Sequence, residues 1–422
     1  MTIQLASTTD SLIPIADITA ARARLKDVAV ETPFMKNVNL SERYGADIYL
    51  KREDMQVVRS FKIRGAYNKI KSLGETATAG IVCASAGNHA QGVALSCARL
   101  HIKGKIYMPN PTPMQKVTKV RQFGKEWVEV ILTGDSFDDA YAEATADADS
   151  SGRPFIHPFD DDMVIAGQGT IAAEMMEQVA DPLDVLLIAV GGGGLISGIG
   201  SYYKQLCPHT QIIAVESTGA PALHTSLQQG RVVELPTIDT FADGIAVKQV
   251  GLRTFSICQQ VVDKSILVPE GQICSAILSL YNDEAIVVEP AGAIAIAALD
   301  QITETVKGKR VGIVVCGGNN DVNRTQEITE RALLYEGKKH YFIIRFPQRA
   351  GALRDFLNVL GPADDITHFE YTKKTNRVNG PALVGIELGQ AADYQALEQR
   401  MTAQGIDFQH INNNPMLFEM LV

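Results

Sequence analysis

The sequence lacks the cysteine patterns of disulfide-bonded and zinc-binding proteins. Its six cysteines are scattered, and no two of them form a C-x-x-C pair. A disulfide framework and a zinc site are therefore not expected, whereas a reducing, cytoplasmic location is. The N-terminus shows no basic segment followed by an apolar one, so no secretory signal is expected. No run of about 18 apolar residues occurs, which argues against a membrane-spanning helix.

Positive charge is also scarce in this chain. Lys and Arg total 39 against 48 Asp and Glu, which gives a net charge of −9. This balance argues against a nucleic-acid or anionic-membrane partner, because either would need a basic patch. The 422 residues are 46% hydrophobic, which is enough for a large core and for two or three domains.

Short apolar strands alternate with helices over most of the first 330 residues. Strands are predicted at 81–84 and 185–190, and a small-residue turn and a helix follow each of them. The first of these helices covers 88–100, and a further helix is predicted over 167–179. This alternation is typical of an α/β fold with a parallel sheet covered on both faces.

The pattern changes near residue 338. Strands and helices are predicted there in the order β-α-β-β-α-β, which is the ferredoxin-like unit. A hairpin turn is expected around Asn379 and Gly380. We therefore predict a first domain over 1–330, with a small lobe at about 50–150, and a second domain over 338–412.

Three stretches carry the candidate chemistry. Residues 60–65 place Lys62 beside Phe61, residues 85–89 form a small polar loop, and residues 191–195 begin with four glycines. A lysine becomes a catalyst only where its amine is nucleophilic or meets a carbonyl. A glycine turn at the start of a helix offers N–H groups to an anion, most often a phosphate. An aldehyde cofactor with a phosphate tail would suit all three stretches.

Other interpretations stay open on these residues alone. A dinucleotide site needs G-x-G-x-x-G, and the sixth position counted from either of the first two glycines is not glycine. Glu216, at the end of the next predicted strand, could still bind a ribose. The glycines could form a turn without a ligand, and Ser85 or Asn88 could simply cap a helix. Cys316 could be inert packing at the end of a strand.

Together these motifs resemble those of the serine/threonine dehydratases. The matching stretches are 60–66, 85–92, 191–195, 289–293 and 317–319. That family belongs to the tryptophan-synthase-β-like pyridoxal-phosphate enzymes of fold type II, so the resemblance implies two α/β lobes with parallel sheets. Residues 346–353 and their surroundings resemble the ACT-like regulatory domain of biosynthetic threonine dehydratases, a ferredoxin-like α+β unit.

The resemblance implies a role for each matching residue. Lys62 would form a Schiff base with pyridoxal 5'-phosphate and then move the Cα proton of the substrate. The residues implied to bind the cofactor are Phe61, Lys62, Asn88, Gly191, Gly192, Gly193, Gly194, Leu195, Gly244 and Cys316. The residues implied to bind the substrate carboxylate are Ser85, Ala86, Gly87, Asn88 and His89. Cys316 stands where most relatives carry a serine that faces the pyridine nitrogen.

The implied reaction is the dehydration and deamination of L-threonine to 2-oxobutanoate and ammonia, at the start of isoleucine synthesis. A serine-preferring or β-replacing enzyme and a non-catalytic amino-acid sensor remain alternatives. The ACT-like domain implies a homo-oligomer, a dimer or tetramer, and control by isoleucine or valine. Related serine racemases carry a basic serine and a metal-binding acid where this chain has Ala86 and Ala222. Little racemisation and no metal site are therefore expected.

Overall fold

The structure is a computed structural model that describes residues 12–371 and 378–422. These residues divide into two compact units. The first unit runs to Glu270 and resumes over Ser279–Asp321, and the second unit holds Gly271–Leu278 and what is described from Val322 onwards. Within the described ranges, no helix combines the length and the apolar character that crossing a membrane requires.

The first unit alternates strands with helices. Its strands are β1 (Phe34–Lys36), β2 (Asp47–Arg52), β3 (Ile81–Ala84), β4 (Gly104–Met108), β5 (Val128–Leu132), β6 (Val185–Ala189), β7 (Gln211–Ser217), β8 (Lys264–Val268) and β9 (Arg310–Val315). Its helices are α1 (Ile15–Leu25), α2 (Val38–Tyr44), α3 (Lys62–Ser72), α4 (Asn88–Leu100), α5 (Met114–Gly124), α6 (Phe137–Ser151), α7 (Asp162–Gln178), α8 (Gly194–Leu206), α9 (Ala222–Gln229), α10 (Leu252–Val261), α11 (Glu270–Glu284), α12 (Pro290–Ala297) and α13 (Thr303–Val306). The Gly271–Leu278 segment of the second unit lies in the first half of α11.

The strands of the first unit form two sheets, and nearly all of their pairings are parallel. β3, β4 and β5 make a three-stranded sheet. The other sheet has the order β1-β2-β9-β6-β7-β8, and the edge strand β1 runs antiparallel to its neighbour. Every residue of β6 is buried, as expected for a strand with helices on both faces. The predicted fold class, α/β with parallel sheets, is confirmed.

Glycines allow three helices of the first unit to pack backbone against backbone. A Cβ on Gly167 of α7 would lie 2.7 Å from the Cα of Gly65 in α3. A Cβ on Gly198 of α8 would lie 2.6 Å from the amide nitrogen of Gly169 in α7. Real carbon atoms cannot approach so closely, so a side chain at either position would push the helices apart. Because α3 begins at Lys62, these contacts also fix where that lysine leaves the backbone.

The second unit contains a four-stranded antiparallel sheet. Its elements are α14 (Thr325–Tyr335), β10 (Lys339–Pro347), α15 (Ala352–Leu357), β11 (Asp365–Tyr371), β12 (Asn379–Glu387), α16 (Asp393–Ala403), β13 (Phe408–His410) and α17 (Pro415–Leu421). The sheet order β11-β12-β10-β13 is the ferredoxin-like order, with the first and third strands in the centre. Phe342, Val384 and Leu397 are fully buried in its apolar core. The predicted ferredoxin-like fold is confirmed.

Two predicted details are wrong. Asn379 and Gly380 do not form the hairpin turn, because they belong to β12 and pair with Pro347 and Phe346 of β10. The long pairing with β10 therefore overrides the local turn signal, and the connection to β11 falls largely on 372–377, outside the described residues.

The second wrong detail is the start of α7. This helix begins at Asp162, ahead of the predicted residue 167. The side chain of Asp161 accepts hydrogen bonds from the amides of Met163 and Val164, which caps the helix at its true start. The cap formed by Asp161 therefore sets the start of α7. The sequence pattern also does not indicate β1, α2, α9, α10, β8, α14 and α17, which are short or weakly periodic.

Candidate active site

Lys62 is the first residue of α3, and the chain just before it lies against the segment that follows β9. The amide of Phe61 donates to the carbonyl of Cys316 with an N···O distance of 3.2 Å. Ser60 and Gly317 form an isolated antiparallel bridge beside this hydrogen bond. The lysine stretch and the carboxyl end of β9, which are distant in sequence, therefore meet at one edge of the six-stranded sheet.

The Lys62 amine is held in a largely apolar and backbone-lined setting. Its Nζ donates to the carbonyl of Pro158 at 2.9 Å and lies 5.3 Å from the centroid of the Phe61 ring. Burial lowers the pKa of Lys62 to about 8, although the nearby carboxyl of Glu289 acts in the opposite direction. A larger fraction of the amine is therefore neutral near physiological pH, and the neutral amine is the form that attacks carbonyls.

Residues 85–89 follow β3 and lead into α4. The hydroxyl of Ser85 accepts from the amide of Gly87 at 3.2 Å. The first amides of α4 have no carbonyl within the helix to bond, so this turn can hold an anion. The His89 ring is buried, with Nε2 2.9 Å from the carbonyl oxygen of Ile156. Burial lowers the pKa of His89 to about 3, so the ring is neutral and the attraction for anions comes from the backbone amides.

Asn88 is the centre of a chain of side-chain hydrogen bonds. Its Nδ2 donates to Glu289 Oε1 at 2.6 Å, and its Oδ1 accepts from Asn319 Nδ2 at 2.7 Å. Asn319 Nδ2 also donates to the carbonyl of Val58 at 2.8 Å. These contacts join the start of α4, the start of α12 and the loop after β9 around a single amide group.

The four glycines of residues 191–194 connect β6 to α8, and the turn leaves no room for side chains. A Cβ on Gly192 would lie 2.3 Å from the Phe159 ring, and one on Gly194 would lie 2.9 Å from Phe159 Cβ. Gly193 adopts a φ of 92°, which residues with side chains rarely adopt. The turn therefore presents bare backbone at the start of a helix, which is the arrangement that binds phosphate groups.

Glu216 lies at the end of β7, where the sequence left a ribose-binding role open. Both of its carboxyl oxygens accept backbone hydrogen bonds at 2.7 Å, from the amides of Leu223 and His224. Burial raises the pKa of Glu216 to about 8, and these two amides act in the opposite direction. Its side chain is therefore committed to the first turn of α9, and the ribose interpretation of this residue is wrong.

Cys316 follows β9, and its side chain is 2% exposed. Its Sγ donates to the carbonyl of Ala291 at 3.0 Å. Burial raises the pKa of this thiol well above its ordinary value, so it stays protonated at neutral pH. A Cβ on Gly244 would lie 2.9 Å from Ala291 Cβ and 3.4 Å from Glu289 Oε1, so the 242–246 loop reaches the same place.

The structure thus brings together most of the residues singled out in the sequence. Lys62, Asn88, Gly244 and Cys316 all lie around the start of α12. The glycine turn lies close to Lys62 as well. Phe159 packs on the turn, and the carbonyl of Pro158, the residue before it, accepts from Lys62. Two predicted residues contribute through packing, since Leu195 is buried in the first turn of α8 and Ala86 contacts the core of the three-stranded sheet.

Sequence reasoning gave no role to three residues that contact the site. Glu289 had a detectable signal, because it opens the matching stretch 289–293 and precedes Pro290, which favours a helix start. Pro158 and Phe159 lie in a loop between α6 and α7 and carried no signal, since a backbone carbonyl and a packing ring have no sequence pattern of their own.

Two family comparisons cover most of the chain. Residues 25–317 match the family described as pyridoxal-phosphate dependent enzyme. Residues 330–421 match the family described as C-terminal regulatory domain of threonine dehydratase.

Similar proteins were found in several organisms. A biosynthetic L-threonine dehydratase of Halalkalibacterium halodurans is 57% identical over 412 residues, which cover 97% of this chain and 99% of the relative. One of Bacillus subtilis is 54% identical and covers 98% of both chains. The solved structure of processed threonine deaminase isoform 2 from Solanum lycopersicum is 42% identical, with a TM-score of 0.73 over 76% of this chain and 87% of that chain. Maize serine racemase is 31% identical, with a TM-score of 0.70 over 77% and 99%.

Proposed function

This chain belongs to the pyridoxal-phosphate-dependent enzymes, among the biosynthetic threonine dehydratases, and we propose that it converts L-threonine into 2-oxobutanoate and ammonia. The observation that carries the proposal is the meeting of three features at one site. They are a lysine with a lowered pKa, a bare glycine turn at a helix start, and an amide held by side-chain hydrogen bonds. The similarity to threonine dehydratases extends over nearly the whole chain.

The residues at the site fit pyridoxal phosphate. We assign Lys62 to bind the aldehyde and the glycine turn with Leu195 to bind the phosphate, since the four glycines carry no side chains of their own that could cover their amides. Phe61 would pack on the ring and Gly244 would line its pocket. Asn88 would donate to the phenolic oxygen, since one of its N–H groups is not used by Glu289.

We assign Cys316 to face the ring nitrogen of the cofactor. Its thiol is protonated at neutral pH because it is buried. A neutral thiol leaves that nitrogen without a charged partner, whereas a carboxylate would keep the nitrogen protonated. This arrangement favours loss of a β-substituent over reactions that need a long-lived negative charge at Cα.

Bound pyridoxal phosphate supplies an electron sink that makes the Cα proton of an amino acid removable. Lys62 would take that proton, since burial lowers its pKa to about 8 and so enlarges the neutral fraction of the amine. The amides of residues 85–89 would hold the substrate carboxylate and so orient the Cα–H bond. The hydroxyl would then leave Cβ as water, with a proton taken up for the one removed from Cα. The resulting enamine would become an imine, take up water and release ammonia. The sum of these steps is threonine to 2-oxobutanoate and ammonia.

Racemisation would be a minor reaction in this proposal. Ala86 occupies the position where a serine could exchange a proton on the opposite face of the substrate, and its methyl group packs into the apolar core instead. A dehydratase that prefers serine is the second candidate function, and comparing kcat/KM for threonine and serine would distinguish the two.

We further propose that the second unit binds an amino-acid effector, isoleucine or valine, in a homo-oligomer. The match of residues 330–421 to the regulatory domain of threonine dehydratase supports regulation. A cytoplasmic location is part of the same proposal, and the scattered cysteines, with no C-x-x-C pair among them, agree with a reducing compartment. Sedimentation analysis with and without isoleucine would test the oligomer.

The test of the catalytic proposal is a visible absorbance spectrum of the purified protein with pyridoxal phosphate, before and after adding threonine. We expect a band that responds to threonine, together with release of 2-oxobutanoate. Lys62→Ala should abolish both signals. Lys71→Ala is the matched control, since this lysine lies on the same helix and is exposed.

Two results would contradict the proposal in different ways. A bound cofactor without 2-oxobutanoate would favour a β-replacing enzyme or a sensor. No band, even with added cofactor, would mean that the glycine turn binds something else.

A further inference from the structure

We propose that Glu289 is a positioning residue that fixes the orientation of the Asn88 amide toward the cofactor. The inference rests on the proposed function, since it concerns the group that Asn88 would present to pyridoxal phosphate. It goes further because it gives a role to a buried acid that forms no part of the assigned cofactor and substrate contacts.

The side chain of Glu289 does not do what its position in the helix would suggest. Glu289 is the N-cap of α12, with φ −80° and ψ 165°, and Pro290 follows it as the first helical residue. A side chain at this position ordinarily accepts from an amide of the first turn. The Glu289 side chain makes no such bond, and its Oε1 accepts instead from Asn88 Nδ2 at 2.6 Å.

The surrounding glycines make room for this carboxyl. A Cβ on Gly317 would lie 2.1 Å from Glu289 Oε1, and one on Gly244 would lie 3.4 Å from the same atom. The backbone amide of Glu289 also donates to the carbonyl of Gly317 at 3.2 Å. A side chain at residue 317 would therefore displace the carboxyl, so the glycine and the acid depend on each other.

The Glu289 carboxyl is buried, and among the described residues no ion pair offsets the free-energy cost of removing it from water. Glu289 is 4% exposed, and in the described ranges no lysine or arginine forms an ion pair with it. Lys116, whose charge lowers the pKa of Glu289, is itself bonded to Asp243 at 2.5 Å. Burial raises the pKa of Glu289 to about 7, with the charge of Asp243 acting in the same direction. Hydrogen bonds from the Asn88 side chain and the Asn319 backbone lower this pKa but do not offset burial, and such a carboxyl is more typical of a functional site than of a core.

The donors and acceptors around Asn88 show how Glu289 fixes the orientation of its amide. Asn319 Nδ2 donates to both the carbonyl of Val58 and Asn88 Oδ1, so both of its hydrogens are used. Asn88 is thereby held at its oxygen by a donor and at its nitrogen by the Glu289 acceptor. Turning the Asn88 amide over would place two donors against each other and two acceptors against each other. The second N–H of Asn88 remains free to donate. Because the amide cannot turn over, we infer that it presents this N–H, and not its oxygen, to the cofactor.

Cofactor binding should therefore depend on the length of the side chain at residue 289, which places its acceptor oxygen, and not on the charge of that side chain. Glu289→Gln keeps an acceptor oxygen at the same distance and removes the charge. Glu289→Asp keeps the charge and withdraws the acceptor by one methylene. The two variants therefore separate positioning from electrostatics, and both are small enough changes to preserve folding.

The experiment measures the dissociation constant of pyridoxal phosphate and the visible spectrum of the full-length protein for each variant. We expect Glu289→Gln to stay within about threefold of the wild type. Glu289→Asp should weaken binding about tenfold, which is the effect of losing one buried hydrogen bond. In an Asn88→Ala background, Glu289→Asp should change the constant by less than about twofold, because the residue acts through Asn88. Glu177→Gln, at an acid that is 57% exposed and pairs with Arg22 of α1, is the control and should leave the dissociation constant and the spectrum unchanged.

Two results would overturn the inference about Glu289, and a third would overturn the proposed function. A Glu289→Asp protein that binds the cofactor as tightly as the wild type would overturn the inference. So would an effect that persists undiminished in the Asn88→Ala background, since Glu289 would then act by another route. A wild-type protein that binds no pyridoxal phosphate would overturn the proposed function itself, which separates the two failures.

Discussion

At the scale of single residues, burial gives Lys62 its chemistry. An exposed lysine is almost entirely protonated at neutral pH, because its pKa is about 10.4. In this site the amine contacts a backbone carbonyl and an aromatic ring, and burial lowers its pKa to about 8. Cys316 and, after it, Glu289 act in the opposite direction, so the acid that holds Asn88 also affects the pKa of the reactive amine.

This pKa predicts how the protein captures its cofactor. Lowering the pKa favours the neutral amine, so the rate at which cofactor-free protein binds pyridoxal phosphate should rise with pH and level off above about 8. Stopped-flow absorbance across pH 6 to 10 measures that rate, with free pyridoxal phosphate and a simple amine as the reference reaction. A rate that still rises tenfold per pH unit beyond about pH 9 would show an ordinary lysine and contradict the prediction.

At the scale of elements, a buried charge network holds the helix that begins at Lys62. Arg64 of α3 donates to both oxygens of Glu53 at 2.8 Å and to Glu174 of α7 at 2.6 Å. Lys51 of β2 donates to the other oxygen of Glu174 at 2.6 Å. All four side chains are at most 7% exposed. The network ties α3 to a strand of the large sheet and to α7, so it fixes the start of α3 from two directions.

Removing the central cation should be costly for stability. Arg64→Met would leave two buried carboxylates short of a partner, and we expect the free energy of unfolding to fall by about 3–5 kcal/mol. Arg43→Met is the control, since the Arg43–Asp300 pair is 55% and 47% exposed and should contribute no more than about 1 kcal/mol. Urea unfolding followed by circular dichroism checks both. Equal effects of the two substitutions would show that burial does not determine the contribution of the pair.

At the scale of the whole molecule, two units of different architecture share one chain. The first unit contains the site, and the second has the fold of a small regulatory domain. A regulatory domain changes an enzyme only if its ligand binds two states of the protein with different affinity. The proposal of effector control therefore requires a measurable change in threonine turnover when an effector binds.

Removal of residues 338–422 tests that requirement. We expect isoleucine to reduce threonine turnover by the full chain at least about fivefold, which is the lower range of allosteric coupling, and to leave the shortened chain unaffected. Valine serves as the comparison ligand, and 2-oxobutanoate release is the measurement. The absorbance of bound cofactor in the shortened chain is the control for an intact first unit. An unchanged response to isoleucine after the deletion would contradict regulation by this domain.

Much of the architecture could be predicted because it depends on local pattern. The strand at 81–84 and the helix at 88–100 have the predicted bounds, since apolar runs and helix starts are local signals. Where a local signal competed with long-range pairing, the prediction was wrong. Asn379 and Gly380 have the composition of a turn, but pairing along β10 keeps them in a strand.

Residue type and spacing establish which reactive groups this protein has: a lysine at a helix start, a glycine turn that leaves backbone amides bare, and an asparagine at the start of another helix. Which of these groups meet follows only from the folded chain. Asn88 and Glu289 are 201 positions apart, and the depth that lowers the pKa of Lys62 comes from segments distant in sequence. Such contacts follow from strand order and helix packing, because solvent exclusion and hydrogen-bond direction exist only in the folded chain.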